Sequence, residues 1–98
     1  MVHVLIRHKV ASFEAWKAVF DSAFMMRKSA GECSFRVYHD LREPSNLTLF
    51  FEWDTADRAD RFLKSAELKA EMKKAGVQGE PEIQIMQELV SMRRTAAD

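Results

Sequence analysis

The chain has 98 residues, which is enough for one small domain with a single hydrophobic core. Its 15 lysine and arginine residues balance 15 aspartate and glutamate residues, so the formal net charge is zero when the histidines are neutral. A balanced chain lacks the excess positive charge that binds nucleic acid or an anionic membrane, so neither partner is expected. One cysteine, Cys33, cannot form an internal disulfide, and we expect it to be buried as a small hydrophobic residue. No signal-peptide pattern or long apolar segment is found, which favours a cytoplasmic location.

The first predicted element is a strand over residues 2–10, VHVLIRHKV, because apolar and polar residues alternate along it. This strand contains His3 and His8, a pair that invites comparison with a metal site. Successive side chains of a strand point to opposite faces, so an odd and an even position cannot bind the same ion. We therefore predict no metal site. His8, among valines, is either a hydrogen-bonded core residue or the polar centre of a site.

A helix is predicted next, with Ser12 as its N-cap and Gly31 as its stop. Its large apolar residues recur at spacings of three and four, which places them on one face: Phe13, Trp16, Phe20 and Phe24. An aromatic stripe of this kind forms either part of the core or the wall of a binding pocket, and the spacing alone leaves both open.

The segments CSFRVYHDL and LTLFFEW alternate in polarity on either side of the turn REPSN, so they predict a hairpin. The register that keeps the apolar residues together pairs Phe35 with Phe51, Val37 with Leu49 and His39 with Leu47. A second helix is predicted from a cap at Asp54 or Thr55 through about Ala75, with Gly76 at its end. EIQIMQELV then supplies the last strand.

The order strand, helix, strand, strand, helix, strand is typical of the ferredoxin-like α+β sandwich, a βαββαβ arrangement with both helices on one face of an antiparallel sheet. Right-handed crossovers give the sheet order fourth, first, third, second strand. Residues 1–92 are predicted to form this single domain, and residues 93–98 a C-terminal tail.

The two faces of the predicted sheet differ. The helix-facing side is almost wholly apolar and comprises Val4, Ile6, Phe35, Val37, Leu49, Phe51, Ile83, Ile85 and Leu89. The other side mixes charged residues with large apolar ones, which favours a homodimer through Leu5, Tyr38, Phe50 and Met86, with Glu52 paired to Arg7 and Arg36. The alternative is a solvated face on which the arginines extend over apolar neighbours.

A candidate site lies where the first two strands end, because His8 and His39 meet at that edge on the helix-facing side. One strand separates them, so they lie roughly 10 Å apart, too far for a shared ion but suited to flanking an organic ligand. We expect an apolar, aromatic ligand between helices and sheet, with His8 as the catalytic acid/base or hydrogen-bond donor. The predicted substrate-binding residues are Phe13, Trp16, His39 and Met72. No nucleophile motif, phosphate-binding loop or paired catalytic carboxylates are found.

The stretches RHKVASFEAWKAVFD, FEWD and FLKSAELKAEMKKAGVQGEPEI, in this order and spacing, resemble the antibiotic-biosynthesis-monooxygenase-like family of small dimeric α/β-barrel proteins. The resemblance covers most of residues 2–90 and implies a dimeric α/β barrel built by sheet-to-sheet contact. It also implies one of several activities, since the wider group includes cofactor-independent monooxygenases of polycyclic phenols, haem-degrading enzymes and proteins of unknown function. The asparagine, tryptophan and histidine set of the haem-degrading branch has no match here, so no cofactor is expected.

Two hypotheses follow from the sequence. The first is a cofactor-independent monooxygenase-like enzyme. The second is a non-catalytic dimeric module that binds a ligand or is associated with stress. Turnover distinguishes the two.

Overall fold

A computed structural model describes residues 1–95 and contains four strands and four helices in that part of the chain. The elements are β1 (Val2–Val10), α1 (Phe13–Ser22), α2 (Phe24–Ala30), β2 (Glu32–His39), β3 (Asn46–Trp53), α3 (Ala56–Leu63), α4 (Ala66–Lys74) and β4 (Val77–Met86). The strands form one antiparallel sheet in the order β2-β3-β1-β4, which confirms the predicted fold class and strand order. Of the predicted tail, residues 96–98 lie outside the described residues.

The hairpin register is also confirmed. Phe35 lies opposite Phe51, Val37 opposite Leu49 and His39 opposite Leu47. This pairing keeps apolar side chains on one face, and a shift by one residue would turn every one of them to the other face.

The first predicted helix is wrong in one respect: it is two helices, α1 and α2, that meet at Ala23. The Ser22 hydroxyl donates a hydrogen bond to the carbonyl of Val19 at 2.8 Å. A serine bound back to the preceding turn competes with the helical hydrogen bonds and bends the helix. Gly31 ends α2 as predicted, with φ +128°, and a side chain there would collide with Trp53 because its Cβ would lie 2.6 Å from the indole nitrogen.

The second predicted helix is likewise divided, into α3 and α4. Thr55 caps α3, as expected for one of its two candidate caps, and Ser65 caps α4 by accepting a hydrogen bond from the Leu68 amide at 3.2 Å. A serine in extended conformation satisfies the free amides of a new helix, so the chain restarts there instead of continuing.

The last strand lies earlier than predicted, at Val77–Met86 and not at 82–90. Met86 pairs with His3, near the beginning of β1, so the residues that follow have no strand beside them. Leu89 is consequently no part of the helix-facing side of the sheet and is 90% exposed.

The core lies between the sheet and the helices. Its members come mainly from the two central strands and from the helix stripes: Val4, Ile6, Val10, Trp16, Phe20, Leu47, Leu49, Phe51, Trp53, Ala59, Phe62, Leu68 and Ala75. The edge strands are less well covered, since Phe35, Ile83 and Ile85 are each about two-fifths exposed. Cys33 is exposed and not buried as expected, because it lies on edge strand β2.

The other face of the sheet has the mixed composition predicted for it. Leu5, Phe50 and Met86 are partly buried, whereas Tyr38 is 51% exposed. Within one chain, Glu52 accepts a hydrogen bond from Ser34 at 2.8 Å and lies 3.9 Å from His3, so the expected pairing with Arg7 and Arg36 stays a prediction for the contact between two copies. No helix in the described part of the chain is long and apolar enough to cross a membrane.

Candidate functional site

His8 is a buried polar residue without a hydrogen-bond partner. It lies in the central strand β1, opposite Leu47, and is 7% exposed. Neither Nδ1 nor Nε2 has a partner, and its ring meets that of Trp16 edge-on at 5.9 Å between centroids. Burial lowers the pKa of His8 from 6.5 to about 4. The imidazole is therefore neutral at neutral pH and has one N–H donor and one acceptor unused.

The sheet is irregular beside this histidine. Arg7 pairs with Glu82 and Lys9 with Gln78, so residues 79–81 of β4 lie opposite the single residue His8. Gly79 adopts φ +71°, which favours glycine, and Pro81 has no backbone N–H to contribute to the ladder. Bulges of this kind are common next to functional sites, where they redirect a side chain or interrupt pairing.

His8 lines a small cavity of about 60 Å³ between the sheet and the helices. Trp16, Phe20 and Met72 line it as well, and most of the remaining wall is aliphatic. An apolar cavity of about 150 Å³ is known to admit benzene, so a ring can enter here only if side chains move. Met26 and Met72 both belong to the wall and are partly buried. Their unbranched thioethers can change rotamer with little strain.

Two further polar residues of this cavity were not predicted from the sequence. Arg27 Nη2 and Glu71 Oε2 are buried and have no hydrogen-bond partner. Both residues line the cavity together with His8. Within residues 1–95, these atoms and the two His8 nitrogens are the only buried side-chain nitrogens and oxygens without a partner. All four atoms thus belong to residues that line the same cavity.

The remaining bonds of Arg27 hold its guanidinium in place. Its Nε donates to Glu32 Oε1 at 2.6 Å and its Nη1 to the carbonyl of Phe20 at 2.7 Å. The guanidinium carbon lies 3.7 Å from the centroid of the Phe20 ring, a cation–π contact. Burial raises the pKa of Glu32, and the hydrogen bond and charge of Arg27 oppose that rise.

The sequence contains a signal for both Arg27 and Glu71. Arg27 continues the spacing of the stripe that runs through Phe20 and Phe24, so a charged residue occupies an apolar position. Glu71 follows Leu68 by three residues and therefore lies on the inward side of α4. A charge on an apolar stripe indicates a buried ion pair or a binding group.

The structure brings Trp16 and Met72 to His8, but it places the other two predicted binding residues elsewhere. Phe13 stacks on Trp16 with 5.9 Å between ring centroids, is 46% exposed and does not line the cavity. His39 is exposed on β2 and pairs with Leu47, the same residue that His8 faces from β1. Two strand steps separate them, which corresponds to roughly 10 Å. Both histidines border a wide, open groove at that end of the sheet.

Replacing His39 with alanine is expected to lower the free energy of unfolding by less than about 1 kcal/mol, as for other exposed positions. The side chain is exposed, and within the described residues it is not among the buried groups that lack a partner. Urea denaturation of the purified variant measures the change. A loss as large as that of a core deletion would contradict the placement of His39 at the rim.

The predicted separation of His3 from His8 is confirmed. His3 stacks on Phe50 on the opposite face of the sheet, with 5.1 Å between ring centroids. Among residues 1–95, no group of three or more histidine, cysteine, aspartate or glutamate side chains could hold a metal ion.

Solved structures with a similar fold come from several organisms. A "putative antibiotic biosynthesis monooxygenase" from Bordetella bronchiseptica superposes with a TM-score of 0.76 at 18% identity, covering 91% of this chain and 97% of that one. A conserved protein from Methanosarcina mazei Go1 gives 0.71 at 20% identity, covering 90% and 92%. A protein of the same description as the first, from Caulobacter crescentus CB15, gives 0.70 at 16% identity, covering 91% and 90%. No family model and no curated protein matches the sequence. The likeness establishes the fold.

Proposed function

Because the chain has the fold of these antibiotic-biosynthesis-monooxygenase-like structures, we propose that it binds a small aromatic or apolar molecule in the cavity between helices and sheet. We propose further that it acts on this molecule as a cofactor-independent monooxygenase-like protein, with His8 at the centre of the site. The observation that carries the proposal is the buried imidazole of His8, whose two nitrogens have no partner in a cavity walled by aromatic and aliphatic side chains. A buried polar group without a partner is costly, and a bound ligand removes that cost.

The low pKa of His8 favours one of its two predicted roles, acid/base or hydrogen-bonding group. A phenol of ordinary acidity has a pKa near 10, whereas that of His8 is about 4. Proton transfer from such a phenol to His8 is therefore unfavourable. His8 therefore serves better as a neutral hydrogen-bond donor and acceptor than as a base. In the monooxygenase-like function His8 would orient the bound substrate by hydrogen bonding, and the same role serves the alternative function, a non-catalytic ligand-binding module.

The proposal predicts that His8→Phe weakens ligand binding without unfolding the protein. An apolar ring of similar size fills the position of the imidazole, but it cannot bond a ligand hydroxyl, so the affinity for phenol should fall at least about tenfold. Isothermal titration calorimetry with phenol measures the affinity. His39→Phe is the matched control, since His39 lies outside the cavity, and it should bind phenol as the wild type does.

Unchanged phenol affinity in His8→Phe would contradict the role of His8. Oxygen uptake by the wild type in the presence of a polycyclic phenol then separates the two functions. Consumption that depends on protein and on substrate supports the monooxygenase. Binding without consumption supports the non-catalytic module.

We also propose that two copies associate through the mixed sheet face. The partly buried residues Leu5, Phe50 and Met86 form an apolar centre on this face, and Tyr38 extends it at 51% exposure. A domain this small gains stability by covering such a surface with a second copy. A two-fold contact would place the same patch on both molecules.

Phe50→Glu is expected to give monomeric or insoluble protein, because the contact would bury a carboxylate without a partner. Analytical ultracentrifugation at micromolar concentration measures the oligomeric state. Met25→Glu introduces the same charge at a 64% exposed apolar position on α2 and should leave the dimer intact. A wild-type protein that sediments as a monomer would refute the dimer.

A further inference from the structure

Arg27 and Glu71 line the cavity besides His8, and each has one buried atom without a hydrogen-bond partner. We propose that Arg27 and Glu71 are specificity-determining residues that select an uncharged ligand carrying a hydrogen-bond donor next to an acceptor, such as a primary amide or a hydroxycarbonyl group. This inference rests on the proposed function, since it concerns the ligand of the same cavity.

The four buried atoms without partners differ in whether they donate or accept a hydrogen bond. Arg27 Nη2 can only donate and Glu71 Oε2 can only accept, while the neutral imidazole of His8 does both. A ligand that matches this set must itself accept from the guanidinium and donate to the carboxylate. A hydrocarbon would leave all four atoms without partners and would displace any water that served them.

The charges of Arg27 and Glu71 are each balanced by a neighbouring residue. The charge of Arg27 is already matched by Glu32, which accepts its Nε at 2.6 Å in a pair that is almost fully buried. Glu71 is matched by Lys74 outside the cavity, with Glu71 Oε1 and Lys74 Nζ 3.2 Å apart. A carboxylate or ammonium ligand would therefore add an unbalanced charge to a buried site, which is costly. The two charged residues of the cavity wall are each paired, so the cavity has no net charge to attract an ion.

The guanidinium of Arg27 is held rigidly. The Arg27 guanidinium is held by two hydrogen bonds and by the ring of Phe20, so its free Nη2 is fixed before a ligand arrives. A donor that is already in place loses little conformational entropy on binding, and it therefore discriminates between ligands more sharply than a mobile side chain would.

Three probes of the same ring size test the selectivity: benzamide, benzoate and toluene. They are titrated into the wild type and into Met72→Ala, which removes part of the cavity wall so that the volume of the ring is not limiting. Binding is followed by chemical-shift changes of the Trp16 indole N–H. Benzamide should bind at least about tenfold more tightly than either other probe in Met72→Ala.

Substitutions then assign the selectivity to residues. Glu71→Leu should lower benzamide affinity about tenfold and leave toluene affinity equal or higher. Glu67→Leu, an exposed change on the same helix, is the control and should alter neither. The double variant Arg27→Met with Glu32→Leu replaces the buried pair by apolar residues, keeps the interior free of an unpaired charge, and should likewise lose the preference for benzamide.

The outcomes separate the two proposals. If toluene or benzoate binds as tightly as benzamide, or if Glu71→Leu keeps the preference, the selectivity is refuted and the proposed function stands. If no aromatic probe binds even to Met72→Ala, both are refuted, and the cavity holds water only.

Discussion

Replacing Arg27 with methionine is expected to lower the free energy of unfolding by about 3 to 5 kcal/mol, because it leaves the buried carboxylate of Glu32 without its partner. Both side chains are at most 5% exposed, so water cannot replace the lost contact. The variant also loses the hydrogen bond to the Phe20 carbonyl and the contact with the Phe20 ring. Denaturant unfolding followed by circular dichroism measures the change.

A double substitution tests this explanation. Arg27→Met combined with Glu32→Leu removes both charges, and such exchanges of a buried ion pair for apolar residues are often close to neutral. We expect the double variant to recover most of the stability that the single variant loses. If the double variant were as unstable as Arg27→Met, the loss would come from the packing of the arginine and not from the unpaired carboxylate.

The free energy of unfolding is expected to fall on acidification because of His8. The unfolded chain protonates His8 near pH 6.5, and the folded chain does so only near 4, because burial lowers this pKa. Between these values the unfolded state holds more protons, so the stability contributed by neutral His8 is complete above about pH 6.5 and is lost as the pH falls towards 4. From neutral pH to pH 4 the loss is about 3 kcal/mol.

The contribution of His8 is obtained by comparison with His8→Phe, since other groups titrate in the same range. Glu32, whose pKa burial raises, and Asp40, whose pKa is lowered by hydrogen bonds from the Arg42 and Glu43 amides, are common to both proteins. Urea denaturation at several pH values should show the wild type losing about 3 kcal/mol more than His8→Phe on acidification. Parallel pH profiles for the two proteins would mean that His8 titrates normally and is open to water.

The fold could be predicted because its determinants are local patterns that permit one solution. Only one register of the hairpin places Phe35 and Val37 beside Phe51 and Leu49, and the structure has that register. The helix breaks were missed because each depends on one serine hydroxyl, at Ser22 or Ser65, within an otherwise helical pattern. The end of β4 was misplaced because periodicity does not reveal where the neighbouring strand ends.

The site was predictable only in part. Strand parity and sheet order brought His8, Trp16 and Met72 to the same region, since these follow from the topology. Arg27 and Glu71 were missed because the position of Arg27 depends on Glu32 across the Gly31 turn, and that of Glu71 depends on the way in which α4 packs against the sheet. Contacts of this kind arise from tertiary packing and leave only a weak trace in the sequence, a charged residue on an apolar stripe.

The irregular segment of β4 beside His8 also bears on whether another molecule could add a strand to this sheet. β4 is an outer strand of the sheet, and its free side would otherwise offer a continuous row of backbone groups to a strand from another molecule. The extra residues 79–81 interrupt that row, and Pro81 removes one donor from it. Glu80 and Glu82 add negative charge along the same segment. We therefore expect these features to disfavour sheet extension from molecule to molecule along this side.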